Sequence, residues 1–373
     1  MARMPIATEA DVMPEADRLL GFAHPRETLA LYGHQSAERT LAAELASEKI
    51  HHAWLVTGAE GIGKATLSYH FARAALARPE DRDMFGESLA VNAGTPASRQ
   101  VTALSHPGLL VIRRGYDQKT KKFASTISVD DVRRLRGFLS LSAQADGWRV
   151  VIVDSADEMN VNAANALLKA LEEPPSRTVF LVLSSAPGRL LPTIRSRCRV
   201  LTLNRLGADD LRRASLAVLT NAGKETPGEK DLAMLEALSS GSPRRFLSLL
   251  EGGGLALQSK INALFASLPR LDARTIHALA DDLTPAAKEQ KFALFLELFQ
   301  DTLSRLIRAS ATGEGRADDV TLGARLVGQA RLATFAHLWE TLAREQTDTD
   351  ALNLDKKALI VSMFARLEAA SRG

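Results

Sequence analysis

The run "AWLVTGAEGIGKATLSYHFARAAL" (53–76) constrains this chain more than any other stretch. It opens as a short apolar strand pattern, passes through Gly58, Gly61 and Gly63, and continues as a helical pattern from Lys64. Strand, glycine turn and helix in that order form half of a βαβ unit, which commits the first part of the chain to an α/β layer with a parallel sheet. Four further apolar runs fit the same sheet: "LLVI" (109–112), "RVVIVD" (149–154), "TVFLVLS" (178–184) and "RVLTL" (199–203). Runs unbroken by polar residues suit strands covered on both faces. Helical patterns alternate with them at "VDDVRRLRGFLSL" (129–141) and at 161–173. In the second of these Ala163, Leu167, Ala170 and Leu171 share one face, and "EEPP" stops the helix at Pro174.

The texture changes after Leu203. From there to Gly373 the patterns are amphipathic and helical, with no convincing strand. The division that follows is an α/β core over 1–203, a short helical stretch over 204–254 ending in the glycine run 252–254, read as a linker, and a helical domain over 255–373. Residues 77–105 read as a loop-rich insertion, and "DQKTKKF" (117–123) as a solvated hairpin tip. A net charge of +3 over 373 residues, with 5% aromatics, permits a nucleic-acid partner without indicating one. No apolar run approaches the roughly 18 residues of a membrane span, and the first twenty residues lack a signal-peptide core. One cysteine excludes an internal disulfide and a cysteine zinc cluster, which suits a reducing cytosol, so the expected location is cytoplasmic with no membrane partner.

"GAEGIGKAT" (58–66) stands in the context a phosphate-binding loop requires. Its glycines let backbone amides converge on phosphate oxygens, Lys64 supplies a point charge, and the helix start adds its dipole. The bland alternative is a glycine turn that binds nothing. Two groups needed for hydrolysis are missing. The residue after the lysine should carry a hydroxyl for magnesium and is Ala65; Thr66, one residue on, is rotated about 100° around the helix. Asp154 ends its strand where a magnesium-holding carboxylate belongs, but Ser155 follows in place of a water-orienting glutamate. Asp157 and Glu158 come later and serve equally well as helix-cap carboxylates. A nucleotide is expected to bind here and to turn over poorly.

The only cysteine lies in "IRSRCRV" (194–200). Flanking guanidinium groups would favour a reactive thiolate, whereas free cysteine most often packs as a small hydrophobe. No histidine lies between His106 and His277 to act as a nearby base. Strand alternation from this point would put Cys198 with Val200 on one face and Arg197 with Arg199 on the other. Cys198 is therefore expected to be packing.

These stretches, with "GHQSAERTL" (33–41), "SHPGLLVI" (105–112), "NALLKALEEPP" (165–175), "LLPTIRSRCRVL" (190–201) and "GSPRRFL" (241–247), resemble the delta-prime family of bacterial DNA polymerase III clamp-loader subunits, within the AAA+ superfamily. The likeness covers residues 20–250; beyond them only the helical character of the family's collar domain matches. It implies an AAA+ P-loop core, a small helical lid and a C-terminal helical collar. The implied partners are gamma/tau and delta subunits in a hetero-pentamer that acts on a sliding clamp and primed DNA. The implied role is a stator that lends Arg197, from the Ser-Arg-Cys motif, as an arginine finger to a neighbouring motor subunit. Ser185, after Ser184, takes the first sensor position, and Arg244 the second, with Pro243 before it as a local variation. Gly58, Gly61, Gly63, Lys64, Ala65, Thr66, Asp154, Ser185 and Arg244 make up the implied nucleotide set, with ATP or ADP and magnesium as the implied cofactor. Relatives with a four-cysteine zinc module carry it where 77–105 has no cysteine, so no zinc is expected. Against the alternative, an active gamma/tau-type motor ATPase, stand Ala65 and Ser155.

Overall fold

The computed structural model describes residues 14–47, 49–83, 87–140, 147–285, 288–352 and 355–372. The acid-bearing start of the chain (1–13), residues 84–86 of the insertion and Leu141, the last residue of a predicted helix, lie outside the described residues. The chain divides into two compact units, 1–246 and 247–373.

In the first unit the order is α1 (Gln35–Ala46), β1 (Ala53–Thr57), α2 (Lys64–Leu76), α3 (Pro96–Thr102), β2 (Leu109–Ile112), β3 (Tyr116–Asp117), β4 (Lys122–Phe123), α4 (Val129–Ser140), β5 (Arg149–Val153), α5 (Val161–Glu172), β6 (Thr178–Ser184), α6 (Pro192–Arg195) and β7 (Arg199–Thr202). Five strands form one parallel sheet in the order β2-β5-β6-β1-β7. Successive side chains on a strand point to opposite faces, so each central strand feeds two cores. Trp54, Val56, Ile152 and Leu181 pack with Leu41 of α1 and Leu67 and Phe71 of α2. Leu55, Val151, Val153, Phe180 and Val182 pack with Val132 and Leu135 of α4 and Leu167 and Leu171 of α5. Three helices complete this unit and begin the next: α7 (Ala208–Asn221), α8 (Glu229–Ser239) and α9 (Pro243–Glu251).

One expectation needs correcting. The run that became β7 was read as covered on both faces, but β7 pairs only with β1, and Val200 is 57% exposed. Edge position alone is not the reason, since β2 at the other edge buries Leu109, Leu110 and Ile112. The loop-rich insertion holds a short α-helix. Thr95 accepts a hydrogen bond from the Ser98 amide at 3.2 Å and Pro96 takes the first helical position, which starts α3. The lysine-bearing segment is a hairpin of β3 and β4, with Lys119, Lys121 and Lys122 exposed, as expected.

The second unit is helical throughout its described residues: the remainder of α9, then α10 (Gly254–Ser267), α11 (Ala273–Leu283), α12 (Glu289–Thr312), α13 (Ala317–Leu326), α14 (Leu332–Leu352) and α15 (Lys356–Arg372). Its core gathers phenylalanines around α12. Phe299 lies 5.2 Å from Phe265 and meets Phe364 edge-on at 5.3 Å between ring centroids. Among the described residues no helix is long and apolar enough to cross a membrane.

Candidate functional site

All five sheet strands run the same way, so their carboxyl ends collect at one edge, where open α/β sheets place their sites. Four segments leave that edge together: the loop 58–63 after β1, Arg113 after β2, Asp154 after β5 and Ser185 after β6. Gly58, Gly61 and Gly63 hold φ of 143°, 71° and 114°, where side-chain-bearing residues are strained. Gly61 has a second reason to lack a Cβ. One built there would stand 2.3 Å from Arg244 Cβ and 2.6 Å from Ser242 Oγ, because the start of α9 closes directly onto the loop.

The loop's carbonyls are engaged one after another. Lys64 Nζ donates to Gly58 O at 2.8 Å, Ala59 O at 2.7 Å and Ser185 Oγ at 2.8 Å, which uses all three ammonium protons. Ser242 Oγ donates to Glu60 O at 2.9 Å, and the Arg244 amide donates to Gly61 O at 3.3 Å. His34 Nε2 donates to Ile62 O at 2.7 Å. Burial lowers the Lys64 pKa from the usual lysine value, against the opposing pull of Asp154, Glu60 and Asp157.

Asp154 lies half-buried beside this loop. Desolvation first, and then the neighbouring Asp17, push its carboxyl well above the usual range, with Lys64 and Arg113 opposing. Asp17 arrives from the start of the described chain. Its carboxylate accepts from Arg113 Nη1 at 2.8 Å and from His24 Nε2 at 2.8 Å. Glu15 beside it accepts from Arg26 Nη1 at 2.7 Å and Arg18 Nε at 3.1 Å, and also pairs with Arg113. Desolvation opposes the ionised form of Glu15, but these arginines prevail and hold it down at about 2. Arg244 Nη1 donates to the Asp17 carbonyl at 2.9 Å. Ala16, Asp17, Arg113, Arg114, Asp154, Ser155 and Glu158 line a small cavity.

As placed, these groups do not fit a nucleotide's phosphates. The Lys64 ammonium is fully engaged by its own chain, and Asp154 already has the carboxylate of Asp17 as a charged neighbour. The two later acids, left open between water orientation and capping, have other partners. Asp157 Oδ1 accepts from the Ser185 amide at 3.1 Å, and Glu158 pairs with Arg114 at 2.7 Å. Asn160 caps α5, accepting from the Ala163 amide at 2.9 Å. Among the described residues no group of three or more His, Cys, Asp or Glu is placed to hold a metal ion.

The fold therefore brings Gly58, Gly61, Gly63, Lys64, Ser185 and Arg244 together, with Asp154 at the adjoining strand end. Pro243 takes the first helical position of α9, where its missing N–H is harmless, and Arg244 follows on the first turn. Ala65 packs against the sheet core and Thr66 is half-buried on the first turn of α2. Arg197 lies elsewhere. The register Trp54↔Arg199 to Thr57↔Thr202 puts it at the amino edge of the sheet, away from its own loop. It donates to Thr193 O at 3.0 Å and pairs with Glu172 at 2.9 Å, with its side chain 37% exposed.

The alternation expected across this motif does not hold. Residues 196–198 form a turn and β7 begins only at Arg199, so strand periodicity does not apply to Cys198. Cys198 is 9% exposed among the α5-side core residues, and burial pushes its thiol up to about 11. Arg199 turns to the other side, over the Trp54 ring at 4.8 Å and paired with Glu44. Arg197 and Arg199 do not share a face.

Sequence reasoning missed Glu15, Asp17, His24, His34, Arg113 and Ser242. Arg113 carried a signal, since it directly follows a parallel strand at the edge where sites form. Asp17 carried none, because its partner Arg113 is 96 residues away.

A family model described as "DNA polymerase III, delta subunit" matches residues 33–207. The DNA polymerase III subunit delta' of Escherichia coli is 30% identical over 340 residues, spanning 88% of this chain and 92% of that protein. The subunit delta' of Pseudomonas aeruginosa is 41% identical over 208 residues, a match that spans 55% of this chain and 58% of that protein. Among solved structures, a DNA polymerase III gamma subunit-related protein of Thermotoga maritima aligns over 89% of this chain and 99% of its own at 20% identity, with a TM-score of 0.41.

Proposed function

The chain belongs to the DNA polymerase III delta-prime family, and from that premise we propose that it acts as the stator of a sliding-clamp loader. One observation carries this reading further than kinship does. Arg197 stands across β7 from its own phosphate loop, about 13 Å for four strand residues, so its guanidinium has no access to its own loop. An exposed arginine at the far edge of a nucleotide-type core is suited to a neighbour's site. There it would stabilise the charge that develops in phosphoryl transfer, and it cannot lose its proton at working pH.

In this reading the core is residues 1–203, the lid 204–254 and the collar 255–373, the collar joining gamma/tau and delta subunits in a hetero-pentamer. The complex opens a sliding clamp on primed DNA, in the cytoplasm. This chain's own contribution is rigidity and one arginine. The loop residues Gly58, Gly61, Gly63, Lys64, Ala65 and Thr66, with Asp154, Ser185 and Arg244, would hold ATP or ADP with magnesium only after rearrangement, since Lys64 and Arg244 are engaged internally.

The test is reconstitution with wild-type motor subunits, measuring DNA- and clamp-stimulated ATP hydrolysis beside assembly by gel filtration. Arg197→Ala should assemble normally and lower hydrolysis and clamp loading. Family-type arginine fingers act on the order of 10³-fold or more at a single site, diluted here by intact sites elsewhere in the complex. Arg197→Lys should rescue little, because an ammonium cannot reproduce the planar two-point contact. Wild-type rates from an assembled Arg197→Ala complex would reduce this residue to an ordinary salt-bridge partner.

A further inference from the structure

We propose that the Glu15–Asp17 segment is an internal anionic ligand of the phosphate-loop site, and that a nucleoside di- or triphosphate binds there only in exchange for it. The proposal rests on reading residues 58–66 as a nucleotide-type loop, and adds what occupies the site in the free chain.

Three independent contacts place the segment. The Asp17 carboxylate takes the guanidinium of Arg113, which leaves the end of β2, at 2.8 and 3.1 Å. The Asp17 carbonyl takes Arg244, the residue at the second sensor position, at 2.9 Å. Ala16 and Asp17 line one small cavity together with Asp154 and Ser155 at the end of β5. The segment therefore bridges the sheet edge at Arg113 and the start of α9 at Arg244. Glu15 anchors it from behind through Arg18, Arg26 and Arg113.

The energetics favour exchange over simple addition. The side chains of Glu15 and Asp17 are only 9% and 8% exposed. A buried carboxylate persists only when paired, and its arginines are equally costly to leave unpaired. The cations that hold the segment therefore need an anion at all times. A phosphate chain offers the same cations equivalent acceptor geometry, including two-point contacts with guanidinium, so it competes for them. It cannot join them while the carboxylate is present, since two anions would then share one desolvated corner beside Asp154. His24 fits the same arrangement in its neutral form, donating from Nε2 to Asp17 and accepting at Nδ1 from the Arg26 amide at 3.1 Å.

The experiment titrates the full chain with a fluorescent ADP analogue. Glu15→Ala/Asp17→Ala should bind it at least tenfold more tightly than the unaltered chain, and adding Lys64→Ala should abolish the gain. Asp17→Asn keeps the shape of the segment and should give a smaller gain in the same direction, which covers the case of a double variant that does not fold. Circular dichroism and thermal melting establish folding. If folded variants bind no tighter than the unaltered chain, or if the gain survives Lys64→Ala, the segment is not the site's occupant. The stator reading is judged separately, by Arg197 in the assembled complex, so failure of one leaves the other standing.

Discussion

Arg197 and Cys198 are adjacent in sequence and do opposite things in the fold. Cys198 ends a turn, is closed into the α5-side core, and has a thiol that burial makes harder to ionise. Arg197 is held at the surface by two contacts that a competing anion can replace, since exposed ion pairs contribute little, about 0–1 kcal/mol. The prediction for Cys198→Ala follows from packing alone. Removing one buried sulfur should cost about 1 kcal/mol in urea denaturation and leave a reconstituted loader at its normal rate. A folded Cys198→Ala protein that fails in clamp loading would point back to thiol chemistry. Lys64 teaches a related lesson at the same scale. Its identity is that of a phosphate-loop lysine, yet its three protons go to Gly58, Ala59 and Ser185.

Between elements, the decisive contact is the start of α9 on the loop after β1. Ser242 and the Arg244 amide reach Glu60 and Gly61, and the fit leaves no room for a methyl group on Gly61. Gly61→Ala should therefore do two things at once. It forces a side-chain-bearing residue to φ near +71°, and it pushes against Arg244. The expected loss is about 2–3 kcal/mol from these combined strains, read as a lower midpoint in urea denaturation. A Gly61→Ala variant with an unchanged midpoint would show that α9 does not close on the loop in solution. The short helix α3 illustrates a signal that local chemistry does carry. Threonine before proline is a helix start, and the surrounding glycine and serine content obscures it.

For the whole molecule, the stator reading predicts that this loop does not drive a motor. Ala65 stands where a hydroxyl ligand is expected and Ser155 where a water-orienting carboxylate is expected, and the acids that follow hold Ser185 and Arg114. The purified full chain should show no appreciable steady-state ATP hydrolysis, with or without primed DNA. Turnover of several per second, lost in Lys64→Ala, would make this chain a motor and overturn the stator reading. The second unit is helical throughout its described residues. Its described residues gather a phenylalanine-rich core around α12.

What local sequence determined was the parallel sheet, the helices between its strands, the phosphate-loop context and the all-helical character after Leu203. Each rests on periodicity or on a neighbour within a few residues, and short-range sterics dictate those. The same reasoning failed at β7, whose exposure its apolar pattern does not encode, and in the shared face expected of Arg197 and Arg199, where a turn interrupted the alternation. Only the tertiary structure decided that Asp17 meets Arg113 and Arg244, across 96 and 227 residues. It also decided that Arg197 stands at the opposite edge of the sheet from its own loop. Pairings across such distances depend on strand order and register, which no local pattern encodes, and they are what gives the residues at this site their present partners.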